Sequence, residues 1–589
     1  MSNGAFTFVL HSHLPYVRLA GRWPHGEEWI HEAASETYIP LLSAFYQLRA
    51  EDVHFRVTIG LTPVLAEQLA DETVLDNFDQ YLDMKISAAK RDMALFAPPN
   101  VLPIPFEDIQ VDRPQGDDGN AHLYYLANWY REFYEGVKQA FNQQFQRDII
   151  GAFRVLQDEG YIDIMTSAAT HAYLPLLSQD TSIEAQIRVG IQSYERLFGR
   201  KPRSFWLPEC AYRPAYITGT GDTRAGIESF LAEHGIKVFF TETHAITGGQ
   251  PVGIAAGDIL GPYGDIKRRY VIPTSTHETI PKRNTTTFKA YYSRNTSQQN
   301  GDAVSSGVAV MGRNNTTGQQ VWSEQWGYPG DFDYREFHKK AGSSGLQYWS
   351  VTGDNLDLGQ KAYYQPDWAA MKIEQHAEHF AHLVGDLLRD YNNRSGEYGV
   401  ICSNYDTELF GHWWFEGVRW LTHVLRHLAA YEAVDLLTAS EYIEQHPPQE
   451  VLHLPESSWG AGGTHFTWDN GETHWMWQPI HQAEARMQAL ADQYDQPDAA
   501  QRKVLVQAAR EVLLMQSSDW AFLVTTGQAR EYAVQRFTQH IERFNHLADS
   551  LDSGKPDTSL AQELYVLDRI FDDLDYRMFA SKRSTSSKI

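Results

Sequence analysis

Cysteine is nearly absent: Cys210 and Cys402 are the two in 589 residues. That excludes a disulfide framework and points to a reducing compartment. No run of about 18 apolar residues occurs, which argues against a membrane-spanning helix. Basic residues are outnumbered, 50 Lys and Arg against 75 Asp and Glu, giving a formal net charge of −25. Nucleic acid is therefore a poor partner, because phosphate recognition needs a basic face. The start of the chain has no basic leader region, and its apolar stretch 6–10 (FTFVL) is too short for a signal core. A first strand is expected there, in a cytoplasmic protein. No internal repeat is visible.

What the chain does have is length, apolar residues and aromatics. Its length suits two or three domains. Hydrophobic residues make up 42%, enough for a sizeable core. There are 16 Trp and 31 Tyr. Aromatic faces stack on the apolar faces of sugar rings, and they also fill large cores. Position has to decide between these uses.

Short β-branched runs recur at 6–10, 55–59, 161–165, 204–207, 237–240, 399–402 and 434–437, with helical patterns such as 180–198 and 366–392 between them. Alternation of this kind predicts a parallel sheet. Seven strands over so long a stretch suit an incomplete (β/α)7 TIM-like barrel, an α/β fold, in two parts at 1–83 and 149–440. Residues 84–148 read as a small helical insert, Pro-rich and then aromatic. Residues 284–320, rich in Asn, Thr, Ser, Gln and Gly, read as a polar lid loop. Past about 440 the strand signal stops, and periodicity at 480–494, 500–516, 528–550 and 559–576 predicts an all-helical C-terminal domain at 441–589, ending in a disordered tail.

Polar residues collect where the strands end, the place where barrel enzymes build their sites. His11 and His13 follow the first strand, and His171 lies beyond the third. Glu209 sits in WLPECAY after the fourth, and Asp406 in SNYDTELFGHWW after the sixth. Two carboxylates on different strands fit glycosidic cleavage: one attacks the anomeric carbon, and the other serves the leaving oxygen as acid and the acceptor as base. A lone strand-end carboxylate is more often a helix cap or an ion pair. Here Trp206 and Tyr212 flank Glu209, while His412, Trp413 and Trp414 follow Asp406, as sugar subsites require. The His-x-His pair fits either hydrogen bonds to sugar hydroxyls or, with a carboxylate, a zinc site.

These motifs resemble glycoside hydrolase family 57, and within it the enzymes that branch 1,4-α-glucans. The likeness runs through HSHLPYVR (11–18), DIMTSAATHAYLPLL (163–177) and WLPECAYRP (206–214). It continues in VWSEQWGYPGDFDYREFHKK (321–340), SNYDTELFGHWWFEGVRWL (403–421), SSWGAGGTHFTWDNGETHWMW (457–477) and QSSDWAF (516–522). It implies Glu209 as nucleophile and Asp406 as acid/base. It also implies active-site roles for His11, His13 and His171, and glucan subsites at Trp322, Trp459 and Trp468, with Trp413 on the acid/base motif. Asp519 is expected to reach the cleft from the C-terminal domain, and a tyrosine of the long loop, Tyr291 or Tyr292, to approach it. The implied partner is an α-glucan such as amylose or glycogen, with no cofactor and no metal. An α-amylase or 4-α-glucanotransferase of the same family is the alternative; a metal-dependent deacetylase-like barrel is another of a different class.

Overall fold

Seven parallel strands form the frame, each short, apolar and almost wholly buried. In the computed structural model, which describes residues 2–22, 24–99, 119–249, 280–298, 304–322, 327–342, 344–353 and 356–581, a ten-stranded sheet is built from β1 (Gly4–Ser12), β2 (Val57–Leu61), β3 (Ile162–Ser167), β4 (Ser204–Trp206), β5 (Val238–Thr241), β6 (Ala290–Arg294), β7 (Ser305–Gly312), β8 (Gly399–Asp406), β9 (Val434–Leu436) and β10 (Val451–Leu452). The parallel order is β8-β1-β2-β3-β4-β5-β7. β6 then pairs antiparallel with β7, and β10 lies beside β6. Between β7 and β8 single bonds replace a ladder: the Asn314 N–H donates to Cys402 O at 2.9 Å, and Thr317 Oγ1 meets Ser403 Oγ at 2.7 Å. The circle is incomplete, as the strand pattern predicted.

The seventh stave is not the expected one. Residues 434–436 pair only with the first residues of β1, off the barrel path. The stave is β7, inside the segment read as a lid. That reading is corrected: 290–294 and 305–312 are sheet, and Asn315–Trp322 is a helix. The segment looks polar because its hairpin bonds through serine, Ser293 Oγ to Ser306 Oγ at 2.7 Å and to Val308 O at 3.0 Å. Residues 299–303 lie outside the described residues.

Alternation along the strands separates two cores. Phe6, Phe8 and Leu10 of β1 pack outward against the helices. Ala5 and Val9 point the other way and meet Trp206, Val238, Phe240, Ala309, Met311, Val400 and Cys402 inside the barrel.

The insert is a pair of packed helices, Glu72–Phe96 and Ala121–Gln139, so it starts nearer residue 72 than 84; residues 100–118 lie outside the described set. Asp71 caps the first of these helices through Val74 N–H, and Asn120 caps the second through His122 and Leu123. Beyond β10 come helices His474–Gln493, Ala499–Met515, Ser518–Thr526, Arg530–Asp552 and Thr558–Leu567. The tail from 582 lies outside the described residues. Among the described residues no helix is long and apolar enough to cross a membrane.

Candidate active site

The parity that fills the barrel interior also delivers its polar rim. Val238 and Phe240 point inward, so Glu242 follows them. Ala309 and Met311 point inward, so Arg313 follows. Val400, Cys402 and Asn404 lead to Asp406, and Ala5 and Val9 lead to His11. His11 stands directly across from Asp406 in the β1–β8 ladder.

Glu209 lies on a tight turn after β4. It and Cys210 are consecutive non-glycine residues with left-handed backbone, φ 61° and 48°. Such conformations cost on the order of 1–3 kcal/mol each and persist where surroundings enforce them. A later segment supplies that enforcement. Trp459 N–H donates to Glu209 O at 3.0 Å, and Tyr212 and Ser457 exchange backbone bonds at 2.8 and 3.1 Å. The Trp459 indole also donates to Glu209 Oε2 at 2.7 Å. Burial raises the Glu209 carboxyl to about 7, helped by the charges of Asp406 and Asp519 and opposed by the indole bond.

Beside it the three histidines form a stack. His13 and His171 have ring centroids 3.8 Å apart, His11 and His171 5.0 Å, and His11 lies 4.5 Å from the Trp206 ring. Burial holds His11 and His171 well below the usual histidine range, so both are neutral. The C-terminal helices complete the group: His13 Nε2 lies 3.0 Å from Asp519, and His171 Nδ1 lies 3.0 Å from Ser518 Oγ. His171 Nδ1 is 3.8 Å from Glu209 Oε1.

Asp406 is pushed well above the usual carboxylate range, first by burial and then by the neighbouring Glu408 charge, against the pull of Arg313. Arg313 is itself held by Glu242, with Nε–Oε1 and Nη2–Oε2 both at 2.7 Å. Glu408 is buried and raised to about 7 by desolvation. It accepts from the Tyr38 hydroxyl and, at 3.2 Å, from the His13 N–H, tying the histidine loop to the Asp406 segment. The sequence reading missed Glu242, Arg313 and Glu408. Continuing the inward parity of β5 by one step would have found Glu242; Arg313 follows β7, which the polar composition concealed.

The expected tryptophans divide. Trp459 touches Glu209 and packs edge-on to Trp206 at 4.9 Å. Trp322 and Trp413 are half-buried and pair with each other at 6.4 Å. Trp468 is corrected: it is 1% exposed, stacked on Tyr173 at 4.3 Å, and an added Cβ on Gly460 would come within 2.5 Å of its ring. It supports the Trp459 loop from behind and offers no face to a ligand. Tyr291 and Tyr292 are corrected too. Both belong to β6, where the Tyr291 hydroxyl is spent on Thr286 O at 3.1 Å and the Tyr292 ring packs on the barrel interior.

For a metal, imidazole nitrogens must converge on a point; here the rings present faces to one another. Among the described residues, ligand-like spacing occurs at Glu511, His540 and Asp568 in the helical region, but Arg543 and Arg536 already pair with Asp568.

The model of glycosyl hydrolase family 57 matches residues 7–455. The chain belongs to glycosyl hydrolase family 57. A second model, the C-terminal region of 1,4-alpha-glucan branching enzymes, matches residues 479–579. A 1,4-alpha-glucan branching enzyme of Thermococcus kodakarensis is 43% identical over 96% of this chain and 77% of its own length. Its crystal structure superposes with a TM-score of 0.84 at 41% identity, covering 99% of this chain and 97% of that one. The branching enzyme of Pyrococcus horikoshii gives 0.81 at 40%, with 99% and 97% covered. An alpha-amylase of Thermotoga maritima gives 0.78 at 28%, with 99% and 100% covered. This family member is an enzyme with the curled barrel and helical C-terminal region of those relatives.

Proposed function

We propose that this protein is a retaining glucan branching enzyme. It cleaves an α-1,4 bond, holds the chain covalently on Glu209, and passes it to a glucan 6-hydroxyl with Asp406 as acid and then base. Ionised Glu209 attacks the anomeric carbon while Asp406 gives its proton to the leaving oxygen. The acceptor hydroxyl then returns a proton to Asp406 as it displaces Glu209. The observation that carries the reading is the pairing of these two carboxyls on one buried rim, each raised by its surroundings. The histidine stack and Trp459 form a wall to which sugar hydroxyls can donate, and from which they can accept, hydrogen bonds. The substrate class comes from the likeness to branching enzymes across nearly the whole of this chain.

The likeness to an alpha-amylase supports hydrolysis as the second reading. Incubation with amylose, enzymatic debranching and counting of α-1,6 linkages decides. New α-1,6 linkages with few new reducing ends support branching. Reducing ends without branches mean an amylase, and redistributed linear chains a 4-α-glucanotransferase.

A further inference from the structure

We propose that a cleft on the outer helices is a second binding site for an α-1,4-glucan chain, an inference that rests on the glucan-acting reading above. The cleft holds about 820 Å³, within the range of small-ligand sites. Its walls are helix Ile39–Ala50, helix Ala121–Gln139 with the turn after it, and helix Gly417–Ala429. Among the described residues, none of the groups around Glu209 lines it.

Its floor is aromatic. Trp129 and Phe133, one helical turn apart, lie nearly parallel at 6.1 Å and 11°, and Phe415 closes the trio at 5.3 and 5.2 Å. All three are only half-buried. Its rim is amide: Gln47, Gln139, Gln143 and Gln144 are exposed around the opening. The charges that line it are matched already, Arg419 apart. Arg426 forks onto Glu51 at 2.8 and 3.0 Å, His423 pairs with Glu374, and Glu36 pairs with Arg335 and His412.

The cleft therefore complements a ligand that is neutral, flat-faced and edged with hydroxyls. Pyranose rings have that form: their C–H faces stack on aromatics, and carboxamides both donate to and accept from hydroxyls. An anionic ligand would find one unmatched cation. A protein partner would be expected to meet more aliphatic surface.

A second observation concerns the backbone of the lining. Two of the three walls carry a π-turn, Ala34–Tyr38, which contains Glu36, and Ala140–Gln144, which contains two of the rim glutamines. These turns are rare and collect at functional sites. Phe415 and Glu36 also connect the cleft to the segment of Asp406, through His412 and the Arg335 guanidinium 4.0 Å over the Phe415 ring. A polymer anchored here would raise the local concentration of chain ends for the catalytic rim.

The test uses the full chain in affinity electrophoresis through gels containing amylopectin. Two variants are compared with the wild type: Trp129→Ala with Phe133→Ala, and the rim set Gln139→Leu with Gln143→Leu, whose exposed positions leave folding intact. Each is expected to weaken retention roughly tenfold, while turnover of a short aryl maltoside is unchanged. Unchanged retention in the rim set overturns the proposal, whether or not the aromatic variant folds. So does a wild type that is not retained. A rim variant that changes oligomeric mass in light scattering makes the cleft an interface between copies, and also overturns it. Retention through the cleft without α-1,6 linkages from amylose would leave this inference standing and remove the branching reading.

Discussion

Glu36 and Glu209 are both glutamates largely withdrawn from water, yet they end in opposite states. Burial pushes both up. At Glu36 the Arg335 guanidinium and His412 reverse that push and hold the carboxyl at about 2. At Glu209 the counterweights are one indole N–H and the smaller pull of His13, with Asp406 and Asp519 adding like charge, and the carboxyl stands at about 7. A buried carboxylate with its own cation is a fastener, ionised at every working pH. One left with a neutral donor and carboxylate neighbours is poised to change protonation or charge during a reaction.

The largest expected effect comes from removing the poised carboxylate. Glu209→Gln should lower transfer from amylose by on the order of 10⁴-fold or more while glucan binding persists. Branch counts and equilibrium binding check the two halves. Near-normal branching would reduce Glu209 to a structural acid like Glu36.

Removing the cation from the fastener should cost stability instead. Arg335→Met leaves Glu36 buried with a weaker partner, and a loss of about 3–5 kcal/mol in denaturant unfolding is expected. A stability unchanged from wild type would mean that His412 alone holds Glu36.

The pH dependence should run in opposite directions. Glu36, depressed in the folded state, contributes stability above pH 4.5 that is lost as pH falls towards 2. Glu209, raised in the folded state, contributes stability present below pH 4.5 and lost as pH rises through about 7. Glu209→Gln should therefore gain on wild type between pH 4.5 and 8, by up to about 3 kcal/mol. Glu36→Gln should lose on wild type over the range from pH 2 to 4.5. Paired thermal melts across pH check both, and parallel curves for the two variants would erase the distinction.

Trp459→Phe is expected to have the smallest effect. The ring stays and the donor goes, so the Glu209 carboxyl rises further. The acid limb of the pH–rate profile should move up, with roughly a tenfold loss at pH 6 and little at pH 8. A uniform loss at all pH values would assign Trp459 to substrate contact alone.

The parts of this arrangement legible in the sequence are those that strand periodicity and local motif carry. Six of the seven staves follow from apolar runs, and His11, Glu209 and Asp406 follow from what stands just past them. Asp519 was legible only through the resemblance, because the contact with His13 spans most of the chain. β7 was lost because serines answering one another across a hairpin read as loop composition. Trp468 was misread because a motif shows a tryptophan and not which way its ring faces. Glu408 was passed over because its partners, Tyr38 and the His13 N–H, come from elsewhere in the chain.

The left-handed turn at Glu209 and Cys210 limits how this enzyme can be rebuilt. A nucleophile on a relaxed strand end could be lifted out with its barrel and expressed as a module. Here the turn is clasped by residues 457–459, and its histidine neighbours by Ser518 and Asp519. Cutting the chain after the last barrel helix would sever the clasp and leave the two residues free to relax. The helical region is thus inseparable from the barrel, and swapping it between relatives transplants the contacts that hold Glu209 and the histidines along with it.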